Sequence, residues 1–193
     1  TAFRQQAIAA GLPTTAVYTF SSANEAQQIV AQAKEQIDRG MIDAFFIPDR
    51  ASAPAFAAAL ASAGVATGEL FQVVGSADWA GDQAILAAPA LNGAIYPAVD
   101  DAGLNAISLD YQARFNARPH PLATIAYTAT ILANVNTLSL ATPAYDPVLL
   151  TAPAGFNGRD GQFRFLSNGR AEYALVVKKI SGGVATTVDG AKL

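Results

Sequence analysis

Cysteine is absent from this 193-residue chain, and histidine, methionine and tryptophan occur once each. Without cysteine there is no disulfide, no thiolate metal site and no Cys nucleophile. The absence assigns no compartment, because a cysteine-free chain suits an oxidising space as well as a reducing one. The lone histidine, His120, sits between Pro119 and Pro121 with no second histidine and no acidic cluster nearby. That argues against metal or general-base work and for a surface loop or helix start. Charge is scarce too: 14% of residues are charged, against about 25% in an average domain. The net charge is −3 and no basic stripe occurs, which argues against nucleic acid and against an anionic membrane surface. No Gly-x-Ser-x-Gly elbow is present, so a Ser-His-Asp triad would depend on His120 alone. The chain therefore reads as non-catalytic, with no cofactor and no metal site.

One long uncharged run exists, from Pro121 to Tyr145. A membrane span needs about 20 predominantly apolar residues, and Thr124, Tyr127, Thr128, Thr130, Asn134, Asn136 and Thr137 interrupt this one too often. It is expected to be a buried helix, not a transmembrane segment. The sequence opens at Thr1 inside a helical pattern, with no export signal in view, so it is expected to be a fragment or processed product.

What the chain does have is apolar periodicity. Hydrophobic residues make up 52%, enough to bury a core in one domain or two small ones, and disorder is not expected. The first 100 residues alternate helix and strand. Phe3 to Ala10 reads as a helix stopped by Gly11, and 15–20 alternates as a strand. Ser22 with Glu25 forms a capping box, ahead of a helix whose buried face is Ala26, Ile29, Val30, Ala33 and Ile37. Residues 43–47 form a short apolar run ended by Pro48, which suits a buried parallel strand. Ser52 can cap the next helix, with Phe56, Ala59, Leu60 and Ala63 inward. Residues 70–75 and 93–97 are further strands, with a weak helix at 81–87 between them. Strands separated by helices of this length imply βαβ units and a parallel sheet, connected right-handedly.

After Asp101 the pattern changes. An amphipathic helix from Leu104 to Phe115 is followed by a break at 118–121 and a long helix to about Leu138. The tail from Gly161 to Val188 reads as three short antiparallel strands, turning at 167–169 and 181–183. The Gly155, Gly158 and Gly161 spacing is turn geometry and not a phosphate loop, because no helix with a following Lys-Ser/Thr opens after it.

Taken in order, several stretches resemble the C-terminal portion of the type I periplasmic solute-binding family, the leucine/isoleucine/valine-binding proteins. They are the opening helix to Gly11, Asp43-Ala44-Phe45-Phe46-Ile47, Gly75-Ser76-Ala77-Asp78-Trp79, Leu91-Asn92-Gly93-Ala94 leading to Tyr96-Pro97-Ala98, and Tyr111…Arg114-Phe115…Pro119. The closing turn, Gly155-Phe156…Gly158…Asp160-Gly161…Phe163-Arg164-Phe165, and the helix 122–130 are most similar to the penicillin-binding-protein activator lipoproteins of that family. One departure is Thr128, where those proteins often carry Asp.

The resemblance implies an α/β fold: a parallel βαβ sheet in one lobe, helices of a partner lobe, and a C-terminal antiparallel hinge segment. It places residues 1–97 in the second lobe, 98–150 in helices of the first, and 151–193 in strands returning through the hinge. Most of the first lobe would then precede Thr1, and helices 103–138 would expose apolar surface unless a missing N-terminal lobe or a second chain covers them. The implied function is a periplasmic ABC-transporter-type receptor for an amino-acid-like ligand in the interlobe cleft. The alternative is an envelope lipoprotein that activates a cell-wall synthase by protein contacts.

In open α/β sheets ligands bind beyond the carboxyl ends of strands, and two such ends carry polar residues. After the strand at 43–47, Asp49 can accept an ammonium or hydroxyl, Arg50 can clamp a carboxylate, and Ser52 can donate from a helix start. The same residues also fit a solvated, capped loop with a local Asp–Arg pair. Asp49 at a strand end does not define a phospho-acceptor, since 18–20 supply no further acid. After the strand at 70–75 come Ser76, Asp78 and Trp79. By the resemblance, an acidic residue in this loop meets the ligand ammonium, and Asp78 is the nearest candidate. Trp79 is either an apolar wall for the ligand or packing beneath its own loop. Tyr96, before Pro97, either reaches the cleft or packs the hinge.

Overall fold

Residues 44–47, Ala-Phe-Phe-Ile, are apolar and ended by Pro48, which has no N–H to continue a ladder. In the computed structural model, which describes residues 2–12, 14, 16–68, 70–120 and 122–192, they form strand β1. In chain order the elements are α1 (Ala2–Ala9), α2 (Ala26–Asp38), β1 (Ala44–Ile47), α3 (Ala53–Ser62), β2 (Gln72–Gly75), α4 (Gln83–Ala87), β3 (Ile95–Ala98) and α5 (Ala102–Phe115). They continue as α6 (Ala123–Ala133), α7 (Asn136–Ser139), α8 (Pro147–Leu150), β4 (Phe156–Gly158), β5 (Gly161–Phe165), β6 (Ala171–Tyr173), β7 (Leu175–Ser181) and β8 (Val184–Lys192). One sheet has the order β1-β2-β3-β7-β8, the other β4-β5-β6. The fold is thus the mixed α/β architecture expected, with one mainly parallel sheet and a second, antiparallel one.

Two units divide the chain: Thr1–Tyr96 with Lys178–Thr186, and Pro97–Val177 with Thr187–Leu193. In the first, β1 and β2 pair in parallel, from Ala44 opposite Gln72 to Ile47 opposite Gly75. The parallel pairing continues with Val74 opposite Ile95 of β3. Backbone bonds from Gly93 N to Ile180 O (2.8 Å) and Ile180 N to Ala94 O (2.9 Å) link β7. Helix α2 buries Ala26, Ile29, Val30 and Ala33, and α3 buries Phe56, Ala59 and Leu60. Those are the inward positions predicted from the 3.6-residue period, although Ile37 and Ala63, at the helix ends, are only half-buried.

In the second unit, β4, β5 and β6 form an antiparallel sheet, with Phe156 opposite Phe163 and Phe163 opposite Tyr173. Phe163 is buried among rings: Phe156 at 5.7 Å, Phe165 at 5.5 Å and Tyr173 at 5.4 Å between centroids. Arg164 Nε donates to Glu172 Oε2 (2.6 Å) across the ladder.

Several expectations are corrected. Residues 16–20 form no strand; Thr15 lies outside the described residues. Their rings pack as a strand's would, Tyr18 at 6.3 Å from Phe45 and Phe20 at 5.0 Å from Phe56, without ladder pairing to β1. Leu70 is 92% exposed, so β2 begins two residues later than the apolar run. The long helix to Leu138 breaks at Asn134, its C-cap, and Val135 is extended before α7 begins. Asn and Val both lower helix propensity there. The uncharged stretch is not a buried helix: in α6 only Thr124 is buried, while Ile125, Tyr127 and Ile131 are exposed. Pro121 lies outside the described residues, and His120 serves a helix start, Nδ1 accepting from Leu122 N at 3.2 Å. The strand read across the tail switches sheets at Ala174, between β6 and β7. Among the described residues no helix is long and apolar enough to cross a membrane.

Candidate functional site

Parallel pairing of β1 with β2 delivers their carboxyl ends, Ile47 and Gly75, side by side. The loops that follow are therefore neighbours for a topological reason, and six of the seven predicted residues lie on them. They are also tied together. Ser76 Oγ donates to the Pro48 carbonyl at 2.6 Å, and the same oxygen accepts from Asp78 N at 3.2 Å. The Arg50 backbone N–H donates to Asp78 Oδ2 at 3.4 Å, and Arg50 Nε lies 4.0 Å from that atom.

Asp49 performs the capping that the sequence assigned to Ser52. Its Oδ2 accepts from the Ser52 backbone N–H at 2.9 Å, the i to i+3 geometry of an N-cap. Ser52 occupies the cap position but makes no side-chain cap bond; its hydroxyl donates back to the Asp49 carbonyl at 3.3 Å, and the residue is buried. The capping box at Ser22 likewise forms one residue off: Glu25 Oε1 accepts from Ser21 N at 3.0 Å, and Ser22 makes no cap bond. Hydrogen bonds from Ser52, and lesser ones from the Ser52 and Ala51 backbone and the Arg50 charge, hold the Asp49 carboxyl below its ordinary value. Asp49 stays ionised and exposed.

Trp79 and Tyr96 are placed differently. Trp79 is fully buried and Tyr96 is 2% exposed. Their ring centroids lie 6.1 Å apart. The indole lies against Gly75, where any Cβ would overlap its six-membered ring. Trp79 Nε1 has no hydrogen-bond acceptor among the described residues. The reachable polar groups of the seven are thus Asp49, Arg50 and Asp78, with Ser76 half-exposed beside them. Two acids and one guanidinium give a surface that can meet an ammonium and a carboxylate at once.

A cavity of about 780 Å³ opens at the other end of the same strands, lined by Asp43, Gln72, Asn92 and Lys179 among others. A groove of about 400 Å³ lies in the second unit. None of the seven predicted residues lines either one. The sequence reading missed one cluster, Arg159 with Tyr127 and Thr128. Its only signal was a lone arginine in the glycine turn, beside a helix without charge.

No family model matches this sequence, and no curated protein matches it significantly. Solved structures do match. One is a branched-chain amino acid ABC transporter protein from Rhodospirillum rubrum (TM-score 0.68, 18% identity, 97% of this chain and 55% of that chain). Another is an ABC-transporter solute-binding protein from R. palustris, in complex with benzoate (TM-score 0.58, 16% identity, 98% and 54%). A third is full-length LpoA from Haemophilus influenzae (TM-score 0.53, 12% identity, 98% and 33%). The fold is that of the type I periplasmic binding proteins, as the sequence resemblance implied. The chain spans about half the length of the first two structures.

Proposed function

We propose that this chain is part of a non-catalytic periplasmic receptor, the solute-binding component of an ABC-type transporter, and that its ligand is amino-acid-like. In this reading residues 1–97 form the second lobe of the receptor, 98–150 are helices of the first, and 151–193 return through the hinge. The observation that carries it is the pair of polar loops at the carboxyl ends of β1 and β2. Asp78 receives the ligand ammonium, Arg50 faces its carboxylate, and Asp49 and Ser76 hold the loops in shape. Trp79 and Tyr96 support the loops from beneath. An exposed Arg50–Asp78 pair contributes under about 1 kcal/mol to stability, so the arrangement is better explained by recognition than by folding. The fold shared with solute-binding proteins supports the same reading.

A second reading is favoured by a different observation. Helices α5 and α6 expose Leu109, Phe115, Ile125 and Ile131, and the LpoA likeness allows an envelope protein that activates a cell-wall synthase through such surfaces. A missing N-terminal lobe or a second chain covering these helices is compatible with both.

Thermal melting with a panel of free L-amino acids separates the two. A ligand at 100 times its Kd stabilises the folded state by about 2.7 kcal/mol. A saturable rise in Tm with one class of amino acid, lost in Asp78→Asn, supports the receptor. A flat response across the panel, with a synthase bound specifically, supports the second reading.

A further inference from the structure

We propose that the second unit carries a separate small-molecule site, for a monocarboxylate with an aliphatic or aromatic body, in the groove between α6 and the β4–β5 hairpin. The groove measures about 400 Å³, within the roughly 300–1,000 Å³ typical of small-ligand pockets. Ile131 and Leu132 of α6 line it together with Phe156 and Phe163 of the strands. Among its lining residues Arg159 alone carries a charge.

Arg159 is held in place rather than neutralised. Its backbone N–H donates to Thr128 Oγ1 at 2.9 Å. Its guanidinium lies 4.9 Å above the Tyr127 ring, and one nitrogen is 3.4 Å from the Tyr127 hydroxyl. Among the described residues it forms no ion pair with a carboxylate. The hairpin itself is fixed by two close approaches: a Cβ at Gly103 would overlap the Arg159 carbonyl, and one at Gly158 would come 2.8 Å from Thr128.

A guanidinium presents five N–H donors in a planar fork. Stacked on a ring face and bonded once, it keeps further donors for a planar carboxylate. The apolar lining then takes the body of the ligand. A cation is repelled by Arg159, and a dianion would lack a second positive group. An apolar monoanion matches both the charge and the lining. The site is distinct from the loops at Asp49 and Asp78 and does not depend on their role.

The test is an NMR titration of the protein with hexanoate and with its neutral isostere hexanamide, read on backbone amides. The proposal predicts saturable shifts at 127–135 and 156–163, and hexanoate binding at least about tenfold tighter than the amide. Arg159→Gln should bring hexanoate down to the amide's affinity. Equal affinity for acid and amide, unsaturable shifts, or shifts at 49–52 and 76–79 instead would overturn it. If Arg159→Gln does not fold, the acid–amide comparison on the unaltered protein decides alone. A dimer by light scattering whose groove amides do not respond would also overturn it, showing the groove filled by a second copy.

Discussion

Arg50 and Asp78 are 28 positions apart and meet at the ends of two parallel strands, the Arg50 N–H donating to Asp78 Oδ2 at 3.4 Å with Nε 4.0 Å from the same oxygen. Both side chains are more than half exposed, so solvent screens the pair. Asp78→Asn should change the unfolding free energy by less than about 1 kcal/mol while weakening amino-acid binding by about tenfold or more. Urea unfolding and calorimetric titration on the same variant measure the two effects separately. A large stability loss would make the pair structural.

Asp49 makes a prediction in pH. Its carboxyl is held below the ordinary 3.8, first by hydrogen bonding from Ser52. A depressed carboxylate adds stability above its unfolded pKa and loses it as pH falls through the folded value. The loss therefore belongs to the acid side, beginning near 3.8 and continuing below it. Carboxyl NMR should show Asp49 titrating below 3.8, and Ser52→Ala should move it upward. A midpoint at or above 3.8 in the unaltered protein contradicts the capping geometry.

Gly75 is required for space rather than for backbone freedom, because a Cβ there would enter the Trp79 indole. Gly75→Ala should cost about 1–3 kcal/mol by overpacking. Trp79 is the sole tryptophan, so its emission reports the variant directly. The expected result is a red-shifted native spectrum and a lower urea midpoint; an unchanged midpoint would mean the loop yields freely.

Gly103 should violate the usual helix rule. Replacing a helix glycine by alanine ordinarily stabilises, by up to about 1 kcal/mol in a helix interior, and Gly103 stands in the first turn of α5. Here the methyl would overlap the Arg159 carbonyl, so Gly103→Ala should destabilise by thermal melting. The exposed neighbour Asn105→Ala should be neutral or stabilising. A gain at Gly103 would show that the hairpin does not rest on α5.

Much of this architecture could be read from residues whose environment is set locally. The face of α2 followed from Ile29, Val30 and Ala33 at helical spacing. Strands β1 and β2 followed from short apolar runs closed by Pro48 and Gly75. The two polar loops were legible because strand ends in a parallel sheet must emerge together. Features set by distant partners were not legible. Residues 16–20 have strand composition but no ladder. The depth of Trp79 depends on an absent Cβ at Gly75. The Ser52 and Asp49 roles exchanged because the helix is entered through a preceding turn, which brings the Asp49 carboxylate onto the Ser52 N–H. Arg159 was hidden because its partners, Tyr127 and Thr128, lie more than 30 positions earlier.

The most direct test of the receptor reading is an NMR titration of the protein with L-leucine and with its N-acetyl derivative, which lacks the ammonium. The account predicts saturable shifts at the amides of 49–52 and 76–79 for leucine and at least about tenfold weaker binding for the acetylated compound. Saturable binding that leaves those two loops unmoved, or equal affinity for both compounds, would contradict it.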